Sequence, residues 1–282
     1  MKKLLLISAL LLPALMLQAR DFKWSRTVMD GSRTGVTAAT ADNVPEALGT
    51  VDGKKYVSPS GRTFRCGVTP EVARVLIDAQ APMAEVKAVI AHATEAMPVG
   101  YPECALSNWY VDYVMKAVAE KAGKPVSFAV LNFGGIRCDM PKGDILLDDI
   151  MSMFPFRNNL CYLELTGKDI RVILNQLAAT SWQVVGGARC VVKDGKLVSA
   201  EIGGKPLDDK KVYGVATVNF LLDGGDDIRM ARNAKNLEIF DGYLLDYILA
   251  HVRALTAEGK PIEYQTDGRI VILDSDKNSV RR

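Results

Sequence analysis

The spacing of apolar residues changes along this chain, and the change separates predicted helices from predicted strands. In the first half, apolar positions recur every three or four residues, as on one face of a helix. Helices are predicted to begin at Thr69-Pro70 and to cover residues 84–97 and 106–122. Proline at the first helical position followed by Glu71 supports the first start, and Gly123 ends the third helix.

From residue 126 the pattern favours shorter elements. The run SFAVLN leads into Gly134-Gly135 and is typical of a buried strand that ends in a tight turn. Further helices are predicted over residues 147–153, 168–180 and 242–255, strands over 212–219 and 269–273, and a hairpin over 188–202 with Asp194-Gly195 at its turn. Helices, strands and a hairpin without a regular strand–helix–strand repeat predict an α+β fold, a layered mixed sheet with packed helices.

The first nineteen residues have the composition of a secretory signal peptide. Two lysines precede the apolar run LLLISALLLPALML, and Ala19 is a small residue suited to cleavage. A membrane anchor needs about 20 unbroken apolar residues, and this run is shorter. No cysteine lies near the cut to carry a lipid. We therefore expect a protein that is soluble in the periplasm or outside the cell, with no membrane span after signal cleavage.

Three further regions follow from composition. Residues 20–68 are predicted to form a turn-rich N-terminal extension, with Trp24 and Tyr56 as candidate anchors onto the main body of the protein. Residues 69–274 form the main domain, and residues 275–282 are a charged tail. The extension could dock a partner or cover a sheet edge.

Net charge excludes one class of partner. The formal net charge is +2, and the charges of both signs are interspersed along the chain. A protein that binds polymeric nucleic acid needs a basic patch or stripe to neutralise phosphates. We therefore expect no nucleic acid polymer as a partner.

The cysteines exclude two metal or redox motifs. They are Cys66, Cys104, Cys138, Cys161 and Cys190. Their wide spacing contains no CxxC pair, which excludes a zinc ribbon and a thioredoxin-like motif. Cys161 and Cys190 lie in apolar, strand-like segments and are predicted to be buried free thiols. One or two disulfides remain the alternative for an exported chain.

Three loop segments carry candidate ligand-binding residues, at 132–137, 154–158 and 219–226. In the first, Gly134-Gly135 lets the backbone approach a ligand, and Arg137 can grip a phosphate or hydroxyl oxygens. The alternative is a glycine turn with a surface arginine.

Two phenylalanines suggest a flat ligand. Pro155 holds the preceding residue extended, so Phe156 can point out of its loop. Phe220 precedes the Gly224-Gly225 turn, which presents Asp226 as an acceptor for neighbouring hydroxyls such as those of a ribose. A single phenylalanine near a strand end is more often a core residue. The combination predicts a clamp of two rings around a nucleobase.

The motifs NFGGIR, PFRN and NFLLDGGDD resemble the 5'-nucleotidase C-terminal domain in kind, order and spacing, over residues 69–273. The resemblance implies a substrate-binding domain for a nucleotide or nucleoside. It implies that Phe156 and Phe220 stack on the base and that Asn132 and Asn158 hydrogen-bond the ligand. Arg137 would hold the ribose or phosphate, and Asp226 would bind the ribose hydroxyls. The glycines expected to shape the site are Gly134, Gly135, Gly224 and Gly225.

The chain departs from the family's pattern at two places. Residues 103–108 resemble the start of the family's first helix, but residues 99–102 (VGYP) stand where the family carries an arginine, which weakens the expected phosphate grip. Family enzymes hydrolyse phosphate esters at a two-metal centre in an N-terminal domain. This sequence has only His92 and His251, both predicted in helices, and no DxH, GNHE, GNHD or GHxH motif. We expect no catalytic residue, metal ligand or cofactor in it.

The expected function is therefore that of an exported nucleotide- or nucleoside-binding domain in nucleotide catabolism. It would act with a separate metallophosphoesterase chain that carries the divalent metals, as a split 5'-nucleotidase or UDP-sugar hydrolase, and would be inactive in isolation. The alternatives are a non-catalytic binding or scaffold protein for nucleosides or nucleotide sugars, and an enzyme with an unrecognised site.

Overall fold

The computed structural model describes residue 39 and residues 42–273. The predicted signal peptide, the anchoring role of Trp24 and the charged tail lie outside the described residues.

The described part of the chain divides into two compact units, one that ends at Ile77 and one that begins at Asp78. In the first unit a short helix precedes a three-stranded antiparallel sheet of order β1-β2-β3, and a longer helix follows it. These elements are α1 (Val44–Leu48), β1 (Thr50–Asp52), β2 (Lys55–Val57), β3 (Thr63–Phe64) and α2 (Val68–Asp78). Tyr56 packs its ring on Phe64 and donates its hydroxyl proton to the carbonyl oxygen of Leu48 at 2.9 Å, so it anchors this sheet to α1.

A five-stranded mixed sheet of order β13-β7-β12-β5-β8 lies at the centre of the second unit. The strands are β5 (Phe128–Leu131), β7 (Leu160–Thr166), β8 (Val184–Gly186), β12 (Val212–Val218) and β13 (Lys235–Ile239). β12 runs parallel to β5, and every other neighbouring pair is antiparallel. All four residues of β5 are fully buried, as expected for a central strand covered on both faces.

Two smaller sheets complete the second unit. A four-stranded sheet has the order β11-β10-β9-β14, and β4 pairs with β6. The strands are β4 (Val89–Ala93), β6 (Gly143–Leu146), β9 (Ala188–Lys193), β10 (Lys196–Ile202), β11 (Lys205–Pro206) and β14 (Ile270–Leu273). At the β9–β10 turn, Asp194 and Gly195 have φ of +49° and +74°, the left-handed conformation that an Asp-Gly hairpin turn requires.

Four helices pack on these sheets: α3 (Ala105–Ala122), α4 (Leu147–Met153), α5 (Gly167–Ala179) and α6 (Leu244–Ala257). Gly123 ends α3 in the left-handed conformation, as its position in the sequence indicates. Thr166 and Asp169 cap the start of α5 reciprocally. The structure confirms the α+β prediction of a mixed layered sheet with packed helices.

One predicted helix, over residues 84–97, is wrong. The chain makes turns up to Ala88 and then forms strand β4, which pairs with β6. Along β4 the side chains alternate between exposed and buried, with Ala91 and Ala93 buried and His92 between them exposed. Val89 and Ile90 suit the apolar spacing of a helix and that of a strand equally, and pairing with β6 selects the strand. His92 is therefore a strand residue, not a helix residue.

The cysteines are unpaired in the structure. Cys161 on β7 and Cys190 on β9 are buried, as predicted, and burial raises the pKa of each thiol to about 12. Both thiols are thereby held in the protonated, unreactive form.

A buried ionic network ties the end of the chain to α3. The Arg269 guanidinium is almost fully buried and donates to both carboxylate oxygens of Asp112 at 2.8 Å. Arg269 also donates to Asp267, which holds the pKa of that carboxyl below its usual value. Because the pKa of Asp267 is lower in the folded protein than in the unfolded chain, its ionised carboxylate stabilises the fold at pH values above the unfolded pKa of about 3.9. This stabilisation is lost as the pH falls through the folded-state pKa.

Removal of the Asp112 charge should destabilise the protein strongly. Asp112→Ala removes two charge-assisted hydrogen bonds and leaves the buried Arg269 guanidinium paired with Asp267, so the free energy of unfolding should fall by about 1.5–3 kcal/mol in urea denaturation. On the same helix, Glu120 pairs with Lys116 at 3.9 Å in an exposed position. The control Glu120→Ala should cost less than about 1 kcal/mol. Equal effects of the two variants would contradict a structural role for the buried pair.

Candidate functional site

One edge of the five-stranded sheet collects the three candidate segments. β5 and β12 are parallel and both end there, while the antiparallel β7 begins there. Val218 at the end of β12 pairs with Leu160 at the start of β7. The loops that follow β5 and β12 and precede β7 therefore leave the sheet on the same side. We call this side, formed by residues 132–137, 154–159 and 219–227, the site edge.

A hydrogen bond joins the first segment to the third. Asn132 donates from Nδ2 to Oδ2 of Asp226 at 2.9 Å. Asp226 has a φ of +48° and follows the turn in which Gly224 has a φ of +102°, so this turn presents the carboxylate to Asn132. The Asn132 side chain is almost fully buried, and its Oδ1 accepts no hydrogen bond from any described residue. A buried acceptor without a partner carries a cost in free energy.

Arg137 joins the first segment to the second. Its Nη1 donates to the carbonyl oxygen of Gly134 at 3.2 Å, and its guanidinium carbon lies 5.8 Å from the centroid of the Phe156 ring. The backbone N–H of Arg137 donates to the carbonyl oxygen of Met153 at 3.0 Å. Phe156 is therefore held close to the glycine pair, with a cation over its ring.

The two phenylalanines predicted as a clamp are surface residues. Phe156 and Phe220 each expose 45% of their surface, whereas the neighbouring Phe154 is buried against Tyr110 with ring centroids 4.9 Å apart. Pro155 separates the buried ring from the exposed one, and Phe156 is exposed as predicted. Phe154, with φ of −125° and ψ of +62°, does not have the extended backbone expected before a proline. The Phe220 ring lies against Gly225, where an added Cβ would come within 2.8 Å of the ring carbons. Gly225 thus leaves room for the ring.

Two further predicted site residues, Asn158 and Gly135, make contacts that hold the protein's own structure. The carbonyl oxygen of Asn158 accepts from the N–H of Leu244 at 2.7 Å, which fixes the start of α6 beside the second segment. Gly135 lies close to the Asn132 side chain, where an added Cβ would be 2.9 Å from Oδ1. All ten predicted site residues belong to the three loops of the site edge, and their role in binding a ligand stays a prediction.

Sequence reasoning missed residues that position the site edge. Asn159 donates its backbone N–H to Oδ1 of Asn219, and the N–H of Asn219 donates to the carbonyl oxygen of Asn159, both at 3.0 Å. Gln183, just before β8, accepts the backbone N–H of Phe133 at 3.0 Å. The adjacent asparagines in PFRNN could have marked Asn159, but nothing local to Gln183 predicts its partner.

The described residues contain no group of three or more His, Cys, Asp and Glu side chains arranged to hold a metal ion. His92 is exposed and lies 3.3 Å from Asp144, and the His251 ring stacks on Tyr113 at 4.1 Å. Burial lowers the pKa of His251. Both histidines therefore have local structural contacts away from the site edge.

In the part of the chain that the structure describes, no helix combines the length and the apolar composition needed to cross a membrane.

Among solved structures, the chain resembles the 5'-nucleotidase precursor from Thermus thermophilus, with a TM-score of 0.62 and 26% identity over 72% of this chain and 43% of that chain. The NAD nucleotidase of Haemophilus influenzae shares the fold, with a TM-score of 0.53 and 19% identity over 79% of this chain and 48% of that chain.

Curated relatives match a shorter stretch. Protein UshA of Yersinia enterocolitica is 34% identical over 168 residues, which are 56% of this chain and 29% of the relative. Protein UshA of Escherichia coli is 34% identical over 118 residues, which are 40% of this chain and 21% of the relative. These matches cover less than a third of either relative's length.

The family model described as 5'-nucleotidase, C-terminal domain matches residues 70–233, more than half of the 282-residue chain. This match contains the three motifs at the site edge and the strands that position them. The chain therefore belongs to the family of 5'-nucleotidase C-terminal domains.

Proposed function

We propose that this chain binds a nucleotide or nucleoside at the site edge and acts in nucleotide catabolism together with a separate metallophosphoesterase chain. One observation carries the proposal. Two exposed phenylalanines, an arginine and a hydrogen-bonded Asn–Asp pair lie in loops at one edge of the five-stranded sheet, and each group suits a different part of a nucleotide.

The base would stack between Phe156 and Phe220. Exposed rings on a fixed scaffold bind flat heterocycles with little loss of conformational entropy and with tolerance for the identity of the base. Asn132 and Asn158 would hydrogen-bond the ligand, and the glycines would let the backbone approach it.

The sugar would bind beside the base. Asp226 uses Oδ2 to accept from Asn132, and its Oδ1 accepts from no described residue, so a ribose hydroxyl can donate to it. The Arg137 guanidinium, which makes no ion pair with a described residue, is available for a ribose oxygen or a phosphate.

Hydrolysis would occur on the partner chain. The sequence contains none of the metal-binding motifs of the family's catalytic domain, and the described residues hold no ligand cluster. Divalent metals that activate water would accordingly be bound by the metallophosphoesterase, with the nucleotide held between the two chains. Export through residues 1–19 would place this assembly in the periplasm or outside the cell.

The second candidate is a non-catalytic protein that captures nucleosides or nucleotide sugars. The same two-ring clamp, and the same lack of a metal-ligand cluster among the described residues, support this candidate equally. The two candidates differ only in whether a catalytic partner chain acts with this one.

Removal of either ring should weaken binding without unfolding the protein. Phe156→Ala and Phe220→Ala should each reduce adenosine affinity by about 1–3 kcal/mol in isothermal titration calorimetry, because one stacking face is lost. Unfolding free energies should change by about 0.5 kcal/mol or less, since both rings are largely exposed. The control Phe154→Ala should cost about 3–5 kcal/mol of stability. Unchanged affinity with lost stability would mark Phe156 and Phe220 as core residues.

Displacement of a ring should have the same effect as its removal. In Gly225→Ala the new Cβ would lie 2.1 Å from the Phe220 carbonyl oxygen and 2.8 Å from its ring, so the backbone of the turn and the ring must both move. Adenosine affinity should fall about as far as in Phe220→Ala. The control Gly100→Ala meets its nearest neighbour at 3.4 Å and should bind normally. Wild-type affinity in Gly225→Ala would show that the position of Phe220 is unimportant for the ligand.

Catalysis should require both chains. Phosphate release from AMP or a UDP-sugar, measured with Mg²⁺, Mn²⁺, Co²⁺ or Zn²⁺, should be absent with this chain alone and present when a metallophosphoesterase from the same cell is added. Binding without turnover in the mixture supports the capture protein. Metal-dependent turnover by the pure chain would contradict the division of roles.

A further inference from the structure

The turn formed by residues 224–227, which we call the aspartate turn, contains two consecutive aspartates in the left-handed conformation. Asp226 has a φ of +48° and Asp227 a φ of +61°, and the other described non-glycine residues with a positive φ are Asp194 and Asn236. A residue with a Cβ adopts this conformation at a cost in free energy, although aspartate tolerates it better than most residues. Two such residues in succession therefore persist where the surrounding structure holds them.

Backbone hydrogen bonds close the aspartate turn at its ends. The N–H of Gly224 donates to the carbonyl oxygen of Ile228 at 2.7 Å, and the N–H of Ile228 donates to the carbonyl oxygen of Gly225 at 2.9 Å. The Ile228 side chain is buried, so the end of the turn is anchored in the core. Neither bond involves the carbonyl group of Asp227, which follows the two left-handed residues.

A side chain from α5 binds that carbonyl group. Gln176 donates from Nε2 to the Asp227 carbonyl oxygen at 2.7 Å. A carbonyl oxygen only accepts hydrogen bonds, so the amide nitrogen of the glutamine must face it. Thr180 donates its backbone N–H, at 3.0 Å, and its hydroxyl, at 2.8 Å, to the carbonyl oxygen of Gln176. The helix end that carries Gln176 is thereby fixed.

The same helix binds the chain again beyond the aspartate turn. Asn233 donates from Nδ2 to Oδ1 of Asp169 at 2.7 Å, and Asp169 caps the first turn of α5. Gln176 lies in the last turn of this helix. The segment from Asp227 to Asn233 is therefore bonded to both ends of α5, which supports it as a rigid element.

The position of the Asp226 carboxylate depends on the backbone of the aspartate turn. Its Oδ2 accepts from Asn132 at 2.9 Å. Hydrogen bonds of this kind have lengths of about 2.7–3.2 Å, so a displacement of more than a few tenths of an ångström would weaken this one. A return of Asp227 to a negative φ would reorient the peptide that joins it to Asp226. The bond from Gln176 opposes that change.

We propose that Gln176 is a positioning residue for the site edge, whose bond to the Asp227 carbonyl oxygen keeps the Asp226 carboxylate where a ribose hydroxyl can donate to it. Gln176 acts through the backbone of the aspartate turn and does not contact the ligand. The inference rests on the proposed function and deepens it, because it makes ribose recognition depend on α5.

The test compares two ligands that differ only in the ribose hydroxyls. Adenosine carries the 2' and 3' hydroxyls that 2',3'-dideoxyadenosine lacks. Calorimetry on the full chain should show adenosine binding about tenfold tighter, the lower end of the range for a hydrogen bond to a charged acceptor. Gln176→Met keeps a side chain of similar length and removes the donor. In this variant the ratio should fall to about one, while dideoxyadenosine affinity stays at the wild-type value.

Two further variants identify the hydrogen bond as the cause. Asn175 is the neighbouring helix residue, and its side chain donates to the Arg171 carbonyl oxygen at 2.8 Å within α5. Asn175→Leu removes that donor and should keep the tenfold ratio. Asp227→Gly, added to Gln176→Met, should restore most of the ratio, because glycine adopts the left-handed conformation without a steric cost.

The outcomes separate the inference from the proposed function. A ratio that is unchanged in Gln176→Met, lost equally in Asn175→Leu, or not restored by Asp227→Gly overturns the positioning role. A wild-type ratio near one overturns it as well, since Asp226 then does not bind the ribose. If adenosine still binds and Phe156→Ala still weakens it, the proposed function stands. If the wild-type chain binds neither ligand, the proposed function fails and the inference with it.

Discussion

The register of β12 between β7 and β5 is the constraint on which the site depends. β12 pairs with β7 through seven consecutive residue pairs, and the four residues at its end, from Val215 to Val218, are all buried. Thr217, fully buried, satisfies its hydroxyl by donating to the Val130 carbonyl oxygen at 2.8 Å. A slip of one residue would exchange the two buried faces of the strand, so that each side chain met the packing of its neighbour, and would shift the loop that carries Phe220. Core packing thus sets the positions of the exposed rings.

Beyond the ends of the strands, a few side-chain hydrogen bonds hold the loops together where the backbone pairing of the sheet stops. Asn159 and Asn219 extend the β7–β12 pairing by one step through a side-chain oxygen, and Asn159 Nδ2 also donates to the carbonyl oxygens of Phe240 and Gly242 at 3.1 and 2.9 Å. Asn132 and Asp226 bridge the other pair of loops. These bonds hold loop residues that have no strand partner, so the loops can present side chains at defined positions.

Residues close together in the sequence were enough to predict the elements whose signals are local. The helix at 106–122, the Asp-Gly hairpin and the exposed ring after Pro155 each follow from residues within a few positions of one another. The error at 84–97 arose where Val89 and Ile90 suit a helix face and a strand equally, and only the pairing with β6, more than fifty residues later, decides. Gln183 was missed for the same reason, since its contact with Phe133 depends on the pairing of β8 with β5. The order of strands in the sheet is information that no window of sequence contains.

The energetics of the proposed clamp would favour a site that releases its ligand. Two stacked faces together contribute about 2–6 kcal/mol, and a dissociation constant of 1 mM already corresponds to about 4 kcal/mol. The two rings of the proposed clamp would therefore hold a base weakly, because association also costs translational and rotational freedom. Polar contacts from Asp226 and Arg137 would have to supply orientation and the rest of the affinity. On removal of a phosphate, the ligand would lose charge that Arg137 could bind and would keep only its stacked base and sugar. Weak stacking with one added ionic contact would thus suit the proposed role, in which the domain holds a substrate for cleavage elsewhere and then lets the product leave.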